Sequence, residues 1–441
     1  MEHRFSKKDY DNGIAIIGGG ASGLMASVIA SAAGVPVRVF DRNAVMGAKI
    51  LATGNGRCNF TNTKQSMEYY HSSDPKEAEA VLGVFDARSV CRFFRDRGVM
   101  TLNKDGWMYP KSQTATTIRD TLVFSALRND VKLLGNKEIL GITREADGSY
   151  RLHLEGFSYR ARAVILAAGG SAQKQLGTCG DGFRFAEQMG LTVKKPLPAL
   201  VPLTVKKDPL FKAAGVRIHG KVSLHNQEGK QLQEMEGQLQ LTDYGISGIP
   251  VFGVSQEALR RIDAKETIRA VLNFLPDFSR GEIEDQLKKT FEAGISYDPL
   301  DTKLSFVLSG IFPEKLAAVF IEKAGESSKM TLTELNALEE KDYHHFVREM
   351  AEVIHEYHLT VTGSRGFEQA QTTSGGVLLS RLDPKSLMDG KNPGFFLCGE
   401  VLDVDGVCGG YNLQWAFSSG YLAGRGAVDY IKEMDNYDQN R

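Results

Sequence analysis

Three glycines near the start of the chain have the spacing of a phosphate-binding turn. Gly18, Gly20 and Gly23 follow the apolar run 14–17 and lead into an alanine- and serine-rich segment of helical character. In such a turn the first glycine permits the tight bend, the second lets the backbone approach a pyrophosphate, and the third lets the helix pack closely on its strand. The free N–H groups at the helix start attract phosphate. The pattern predicts a dinucleotide site.

A carboxylate at the end of the next strand strengthens that interpretation. The second apolar segment, 35–40, ends at Asp41, which stands 23 positions after Gly18. A ribose-binding acid is expected about 20 residues beyond the glycines. The alternatives are a glycine-loosened turn or a membrane span, but the glycines of this stretch, with Pro36 and Arg38, favour a β-α-β unit.

A glycine-rich loop over 46–59 follows Asp41, the predicted ribose-binding carboxylate. It contains small residues that let a flat ligand approach the backbone, two basic residues that can meet phosphate or an electron-rich ring, and an amide with both a donor and an acceptor. These are Thr53, Gly54 and Gly56; Lys49 and Arg57; and Asn59. The alternative is an ordinary glycine-rich surface loop, in which so many small and polar residues directly after a ribose-binding strand would be unusual.

A second strand end and helix start recur near the carboxyl terminus. The buried segment 394–398 leads to Glu400, a carboxylate well placed for a sugar-alcohol chain, and a long helix begins within 409–415. The N–H groups of that helix start would stabilise the negative charge that a reduced flavin carries near N1. The alternative is a capped structural helix, with Asp403 and Asp405 as acidic loop residues.

The cysteines and histidines form no metal or disulfide pattern. Five cysteines are scattered without a Cys-x-x-Cys pair, and the nine histidines lack ligand spacing, so no metal ion is predicted. Cys58 invites a redox interpretation, but no second cysteine lies a few residues away. Proximity to Cys408 in space stays open, and a structural thiol is favoured.

Composition sets the broad class of protein. The 441 residues exceed one ordinary domain, and 42% hydrophobic with 24% charged residues is usual for a globular chain. A net charge of −1 provides no overall field for nucleic acid or an anionic membrane. The polar opening 1–12 has no apolar signal region. We therefore expect a cytoplasmic protein that acts on a small molecule, without nucleic-acid or membrane partners.

The remaining pattern predicts how the chain is organised. Helical spacing covers 85–97 and 112–127, and three alternating segments over 138–162 predict a β-meander before a buried parallel strand within 162–170. The proline-punctuated run 196–203 is interpreted as a crossing between domains. Further strands are predicted at 216–223, 239–242 and 267–274, and three helices within 280–356.

The fold class predicted is α/β, with a Rossmann-like domain built from both chain ends. That domain comprises 1–195 and 360–441, and it is interrupted by a β-rich subdomain, 196–275, and a helical subdomain, 276–359. No second Gly-x-Gly-x-x-Gly turn opens another β-α-β unit. A nicotinamide donor would therefore have to dock briefly, without a Rossmann domain of its own.

Two aromatic loops are weaker candidates for a substrate cavity. One, 106–112, contains Tyr109, and the other, 241–250, contains Tyr244. Each places aromatic and polar groups in a turn shaped by glycine or proline. Roles as core aromatics and turn residues are equally compatible with these patterns.

Taken together, the motifs closely resemble a family of bacterial FAD-dependent oxidoreductases whose members are described as aminoacetone oxidase-like or dehydro-bile-acid reductase-like. The matching segments are 16–25, 49–62, 167–171, 180–182, 198–203, 245–248 and 399–414. The resemblance implies FAD contacts at Gly18, Gly20, Ser22, Gly23, Asp41, Lys49, Arg57, Gly399, Glu400, Asp403, Asn412 and Leu413. The predicted cofactor site also includes Arg42, Thr53, Gly54, Gly56, Gly169 and Gly410. Many relatives have a histidine where this chain has Asp243, so a role for that histidine does not transfer.

The expected activity is hydride transfer between flavin and a small organic substrate. Arg57 would orient an anionic or carbonyl group, Asn59 would hydrogen-bond the flavin or substrate, and Tyr109 or Tyr244 would transfer a proton. An NAD(P)H-linked reductase of activated C=C bonds is favoured over an amine oxidase that produces peroxide. A binding protein with structural FAD and a flavoprotein that modifies nucleic acid are the alternatives from other classes. The oligomeric state is not predicted.

Overall fold

The chain begins with the predicted β-α-β unit and continues through short strands and helices. A computed structural model of the protein describes residues 5–297 and 301–439. The elements up to residue 199 are α1 (Lys7–Asp11), β1 (Ile14–Ile17), α2 (Ala21–Ala32), β2 (Val37–Phe40), α3 (Ala48–Ala52), β3 (Thr61–Asn62), β4 (Tyr70–Ser72), α4 (Pro75–Val84), α5 (Ala87–Arg95), β5 (Thr101–Lys104), β6 (Trp107–Pro110), α6 (Ala115–Arg128), β7 (Lys132–Leu134), β8 (Gly141–Arg144), β9 (Tyr150–Leu154), β10 (Phe157–Ala161), β11 (Ala163–Leu166), α7 (Asp181–Gln188) and β12 (Val193–Ala199).

The middle of the chain, residues 200–369, forms a set of strands and helices of its own. They are β13 (Leu203–Val205), β14 (Arg217–His225), β15 (Gln231–Leu241), β16 (Gly245–Gly248), α8 (Ile249–Asp263), β17 (Ile268–Asn273), α9 (Arg280–Tyr297), α10 (Leu304–Val307), α11 (Glu314–Lys323), α12 (Leu332–Asn336), α13 (Glu340–His355), β18 (Tyr357–Ser364) and α14 (Gly366–Gln369). Six of the strands close a barrel in the order β13-β16-β15-β14-β17-β18.

The end of the chain returns to the first sheet. Its elements are β19 (Thr372–Val377), β20 (Phe395–Leu397), β21 (Val404–Gly406) and α15 (Tyr411–Gln439). The main sheet has the order β20-β11-β1-β2-β7, and every pair in it is parallel. Its strands β1, β2, β11 and β20 are buried along their whole length, as is typical of strands covered on both faces, and all are apolar except for Arg38 of β2, which pairs with Asp11. The Rossmann-like α/β class is confirmed, with strands from both chain ends.

Two glycines let the first and last long helices of this fold meet backbone to backbone. A Cβ atom added at Gly420 would lie 2.4 Å from the carbonyl oxygen of Ser22, and one at Gly424 would lie 2.8 Å from that of Ala26. These glycines are one helical turn apart and lie on the same face of α15. The close approach places the start of α2 beside Gly420, which lies within α15 and not at its start.

Two compact units account for the described chain. The first contains the described residues up to 199 together with those from 370 onward, and the second contains 200–369. The three-part division drawn from the sequence stays a proposal, and two of its boundaries fall inside or at the edge of strands. Residue 196 lies within β12, and β18 spans 359 and 360.

Several local predictions are confirmed and others are wrong. The meander of β8 to β10 is antiparallel as expected. The run 196–203 begins as strand β12, paired with β19, and so is not simply a crossing segment. Within 46–59 the chain forms α3 and a 3-10 turn, Thr53–Gly56, where only a loop was expected. The described part of 280–356 contains five α-helices, not three, because short helices intervene.

None of the helices in the described ranges has the length and apolar composition of a membrane span.

Candidate functional site

The three glycines of the first turn have the three distinct roles that the motif requires. Gly18 has a φ of 106°, and a Cβ there would lie 2.2 Å from the carbonyl oxygen of Ala167. A Cβ at Gly23 would lie 1.9 Å from the carbonyl oxygen of Gly18. At Gly20, the N-cap of α2, a Cβ would meet no atom within 4 Å. The open space therefore lies where a pyrophosphate would approach the helix start.

Asp41 faces this turn at the end of β2. Its Oδ2 accepts the Gly19 N–H at 2.7 Å, and its Oδ1 accepts the Asn43 N–H at 2.8 Å. Burial raises the pKa of Asp41, while the two backbone N–H bonds and Arg42 oppose that rise. Each carboxylate oxygen still has a second lone pair for a ribose hydroxyl.

Arg42, next to Asp41, forms ion pairs with acidic side chains. Its guanidinium lies 2.5 Å from Glu138 and 2.8 Å from Asp181, and its Nη1 donates to the Sγ of Cys179. The donors of Arg42 are thus directed to these neighbours, and its contact with the cofactor stays a prediction.

Lys49 and Glu400 are paired with one another across the sequence. The Lys49 Nζ lies 2.6 Å from Glu400 Oε2, although the residues are 351 positions apart. The other carboxylate oxygen of Glu400 accepts the Thr373 N–H at 2.9 Å. Sequence reasoning proposed these two side chains for different parts of a ligand and missed both their pairing and the role of Thr373.

The Thr373 hydroxyl organises the turn after β11. Its Oγ1 accepts the N–H groups of Ser171 at 2.8 Å and Ala172 at 3.1 Å. Gly169 begins this turn with a φ of 75°, and a Cβ there would lie 2.8 Å from Thr178. Gly169 is thus close-packed by protein, unlike the open Gly20.

The loop after α3 exposes its backbone. Gly54, Asn55 and Gly56 all have left-handed φ angles, of 55°, 53° and 80°, and a Cβ at Gly56 would meet nothing within 4 Å. The Thr53 hydroxyl donates to the Ile50 carbonyl at 2.6 Å, so it is used locally. Arg57, directly after this turn, is exposed.

Asn59 differs from the other polar residues of this loop. It is only 8% exposed, and neither its Oδ1 nor its Nδ2 has a hydrogen-bond partner. A Cβ at Gly410 would lie 2.7 Å from Asn59 Oδ1. A buried amide without partners, at the start of α15, is a group that a ligand would satisfy.

Other residues at the start of α15 are tied to the protein. The Asn412 side chain donates to the Gly406 carbonyl at 2.7 Å and accepts the Gly406 N–H at 2.9 Å. Leu413 packs against the core. Asp403 is 2% exposed, accepts the Ser73 N–H at 3.0 Å and lies 3.3 Å from Lys194. The side chains of Asn412 and Asp403 therefore hold the turn in place.

The contact between Gly399 and Ser22 links the two chain ends directly. A Cβ at Gly399 would lie 2.3 Å from the Ser22 hydroxyl. The Gly399 N–H donates to Ser419 and its carbonyl accepts from Trp415, so α15 supports the turn after β20. This arrangement places the second strand end beside the first helix start.

The two candidate tyrosines lie in different units. Tyr109 is half-buried on β6, and burial raises its pKa while nearby Arg57 opposes the rise. Tyr244 belongs to the second unit, in the turn between β15 and β16, and the Arg365 guanidinium lies 4.7 Å from its ring centre. Sequence reasoning missed Arg365, since no motif surrounds it.

Cysteine redox chemistry is disfavoured at this site. Cys58 and Cys408 are both free, and burial raises the pKa of each thiol to about 12. A reactive or redox thiol requires its thiolate, which such a pKa suppresses at neutral pH. Among the described residues, no group of three His, Cys, Asp or Glu side chains could hold a metal ion.

The site combines a strand-turn-helix phosphate cradle, a carboxylate beside it and an unsatisfied amide at a second helix start. These features are those of a Rossmann-type dinucleotide-binding protein, and the open space at Gly20 and the amide of Asn59 fit an FAD molecule. The chain belongs to the HI0933-like protein Rossmann domain family, whose model matches residues 12–426.

This chain is similar to two named proteins and to one solved structure. The chain is 38% identical over 421 residues to the 3-dehydro-bile acid delta(4,6)-reductase of Clostridium scindens, covering 95% of this chain and 99% of the relative. It is 28% identical to the ribosomal RNA dihydrouridine synthase of Haemophilus influenzae, over 92% of this chain and 96% of that protein. A flavocytochrome c3 fumarate reductase structure aligns with 95% of this chain and 78% of that chain at 15% identity, with a TM-score of 0.47.

The family and its relatives define the biochemical class. The protein is an FAD-dependent oxidoreductase, and the cofactor expected from the sequence is confirmed. Which individual residues contact FAD stays a prediction.

Proposed function

We propose that the protein is an NAD(P)H-linked reductase of C=C bonds conjugated to a carbonyl group. FAD supplies the redox chemistry when bound, and the protein supplies position and a proton. Reduction of a C=C bond requires an acid that protonates one carbon, whereas oxidation of an amine requires a base. The observation that carries the proposal is the position of Tyr109, which is half-buried on β6 and close enough to Arg57 for that charge to act on its phenol, so that a protonated acid and a cation lie near one another.

The names of the relatives support the same direction of reaction. One is a delta(4,6)-reductase, and another is a dihydrouridine synthase. A dihydrouridine differs from uridine by saturation of a C=C bond next to a carbonyl. Both names therefore describe chemistry on conjugated C=C bonds, and neither describes amine oxidation.

Arg57 and Tyr109 have complementary roles in this proposal. The exposed Arg57 guanidinium orients the substrate carbonyl and favours negative charge on its oxygen. Tyr109 then donates its phenolic proton. Tyr244 is the alternative donor, and a substitution of each tyrosine distinguishes them.

Anaerobic stopped-flow spectroscopy tests the proposal. NADPH should bleach the flavin absorbance, and a conjugated keto-steroid acid should restore it without oxygen. Bleaching by aminoacetone, with peroxide formed on re-aeration, would instead establish the amine oxidase. Dithionite-reduced protein that no acceptor reoxidises faster than free flavin would support a structural FAD.

RNA is a second candidate substrate because two relatives are named for ribosomal RNA. The net charge of −1 gives no overall attraction to a polyanion. We therefore favour a small conjugated carbonyl compound. Restoration of the flavin absorbance by unmodified ribosomal RNA, but not by small enones, would reverse that choice.

A further inference from the structure

The amide of Asn59 is a conspicuous unsatisfied polar group in the first unit. Both of its polar atoms are buried without partners, and the residue is 8% exposed. Nearby asparagines are satisfied: Asn62 donates to the Gly409 carbonyl at 3.0 Å, and both ends of the Asn412 amide bond Gly406. A buried donor and acceptor left without partners destabilise a protein unless a ligand completes them.

Among the close neighbours of Asn59 is a glycine, which places no side chain over the amide. Gly410 lies beside its Oδ1, and a side chain there would come within 2.7 Å of that oxygen. The Thr61 hydroxyl donates to Gln414 Oε1. The amide thus lies beside Gly410, just before the 29-residue helix α15 begins.

We propose that Asn59 recognises the imide edge of the FAD ring system. Its amide N–H donates to a ring carbonyl oxygen, and its amide oxygen accepts the ring N3–H. A carboxamide has an adjacent donor and acceptor, and the imide edge offers the complementary pair. Phosphate and ribose do not match it in this way, and the adenosine end is expected at Asp41. The inference depends on the FAD cofactor and not on the identity of the substrate.

Binding of FAD and of its 3-methyl derivative to apoprotein tests the inference. 3-Methyl-FAD retains both ring carbonyls but has no N3–H. We expect wild-type protein to bind FAD about tenfold more tightly than 3-methyl-FAD, which corresponds to about 1.4 kcal/mol. In Asn59→Ala we expect weaker FAD binding and no discrimination between the two flavins. Equal discrimination in both proteins would overturn the inference.

Two further variants separate recognition from folding. Asn59→Leu removes the unpartnered atoms and fills their space, so we expect an apoprotein melting temperature at least as high as that of the wild type, with weaker FAD binding. Asn129→Ala removes an amide that already donates to Ser31 Oγ at 3.3 Å, and it should leave flavin discrimination intact. Asn59→Leu protein that melts lower and still discriminates the flavins would make Asn59 a structural residue.

The proposed function is measured separately, with saturating FAD and NADPH. Loss of flavin discrimination in Asn59→Ala supports the inference even if no enone restores the flavin absorbance. Unchanged discrimination together with a raised KM for the enone would assign Asn59 to the substrate, which overturns the inference while the reductase proposal stands.

Discussion

At the scale of a single residue, the proposed proton donor Tyr109 leads to a direct test. We expect Tyr109→Phe to lower the rate of enone reduction by about 10²- to 10⁴-fold, because the proton donor is lost. Bleaching of the flavin by NADPH should change little, since that step needs no phenol. Single-turnover measurements of the two half-reactions separate these effects. Tyr159→Phe, in the same unit, is the control, and an equal loss there would contradict the assignment.

The pH dependence of enone reduction follows from the raised pKa of Tyr109. Because the pKa of Tyr109 lies above its usual value of 10.0, the phenol stays protonated through neutral and mildly alkaline pH. We expect the rate of enone reduction to show no alkaline decline below about pH 10. A decline centred near pH 8, absent in Tyr109→Phe, would show that the phenol is already ionised there.

Cys58 is the opposite case, a conspicuous residue for which we predict no redox role. Its pKa of about 12 leaves almost no thiolate at neutral pH. We expect Cys58→Ala to retain enone reduction within about threefold, with a lower melting temperature from the small cavity. Steady-state rates and thermal melting measure both effects. A variant that binds FAD but transfers no electrons from NADPH would restore the redox interpretation.

Residue types and spacing were sufficient to predict the glycine turn after β1 and the position of Asp41 at the end of β2. They were insufficient for contacts between distant parts of the chain. The Lys49–Glu400 pair joins residues 351 positions apart, and Asp403 is held by Lys194 and Ser73. Such partners depend on tertiary packing, for which a single sequence carries no local signal.

At the scale of elements, two glycines of the first turn differ in the space that surrounds them. Gly20→Ala introduces a methyl group that meets no protein atom, whereas Gly23→Ala places one 1.9 Å from a backbone carbonyl. We expect Gly20→Ala apoprotein to melt like the wild type but to bind FAD at least tenfold more weakly. Gly23→Ala should lower the apoprotein melting temperature itself.

Flavin titration and thermal melting of both apoproteins test this contrast, and each variant is the control for the other. Wild-type FAD affinity in Gly20→Ala would mean that the pyrophosphate does not approach that position. A Gly23→Ala protein with unchanged melting would contradict the close packing of α2 on the strand turn.

The order of apolar and polar residues along each strand explains which strands could be predicted from the sequence. The strands β1 and β11 are apolar throughout, and β2 is apolar apart from Arg38, so their burial was evident from composition. Only the end of β15 was predicted, because most of that strand alternates with charged and amide residues along an exposed face. The barrel strand β18 pairs with β13 and β17 after a long helical segment, and no local pattern indicates that closure.

For the molecule as a whole, Asp405 is expected to make stability depend on pH. It is 2% exposed, and burial raises its pKa although His71 at 3.2 Å and Ser374 oppose the rise; nearby Asp403, which Lys194 contacts, adds to it. A raised carboxyl pKa means that the folded state binds more protons than the unfolded state above about pH 3.8, so stability falls as pH rises through the window up to the folded pKa.

Asp405→Asn tests this effect because it removes the ionisation and keeps the shape. We expect its melting temperature to match that of the wild type near pH 4 and to exceed it increasingly toward pH 7. Differential scanning calorimetry across that range provides the measurement. If the melting temperature of Asp405→Asn instead falls further below that of the wild type as pH rises, the ionised carboxylate stabilises the fold.

The division of the chain into two units leads to a test of the entire cofactor site. Every residue predicted to contact FAD lies in the first unit, and the two large hydrophobic clusters of that unit contain no residue from 200–369. The antiparallel pair β12–β19 aligns Ala199 with Thr372, so the two chain ends left by removing the second unit are neighbours. A short glycine-containing turn can rejoin them. We expect the shortened protein to fold and to bind FAD.

Enone reduction provides the second readout of that experiment. If Tyr244 or another residue of the second unit handles the substrate, the shortened protein retains flavin absorbance and bleaching by NADPH but loses enone reduction. If Tyr109 and Arg57 suffice, enone reduction survives with a raised KM. A shortened protein that melts cooperatively yet releases all its flavin would contradict a cofactor site formed entirely by the first unit, because its fold would be intact while its ligand was lost.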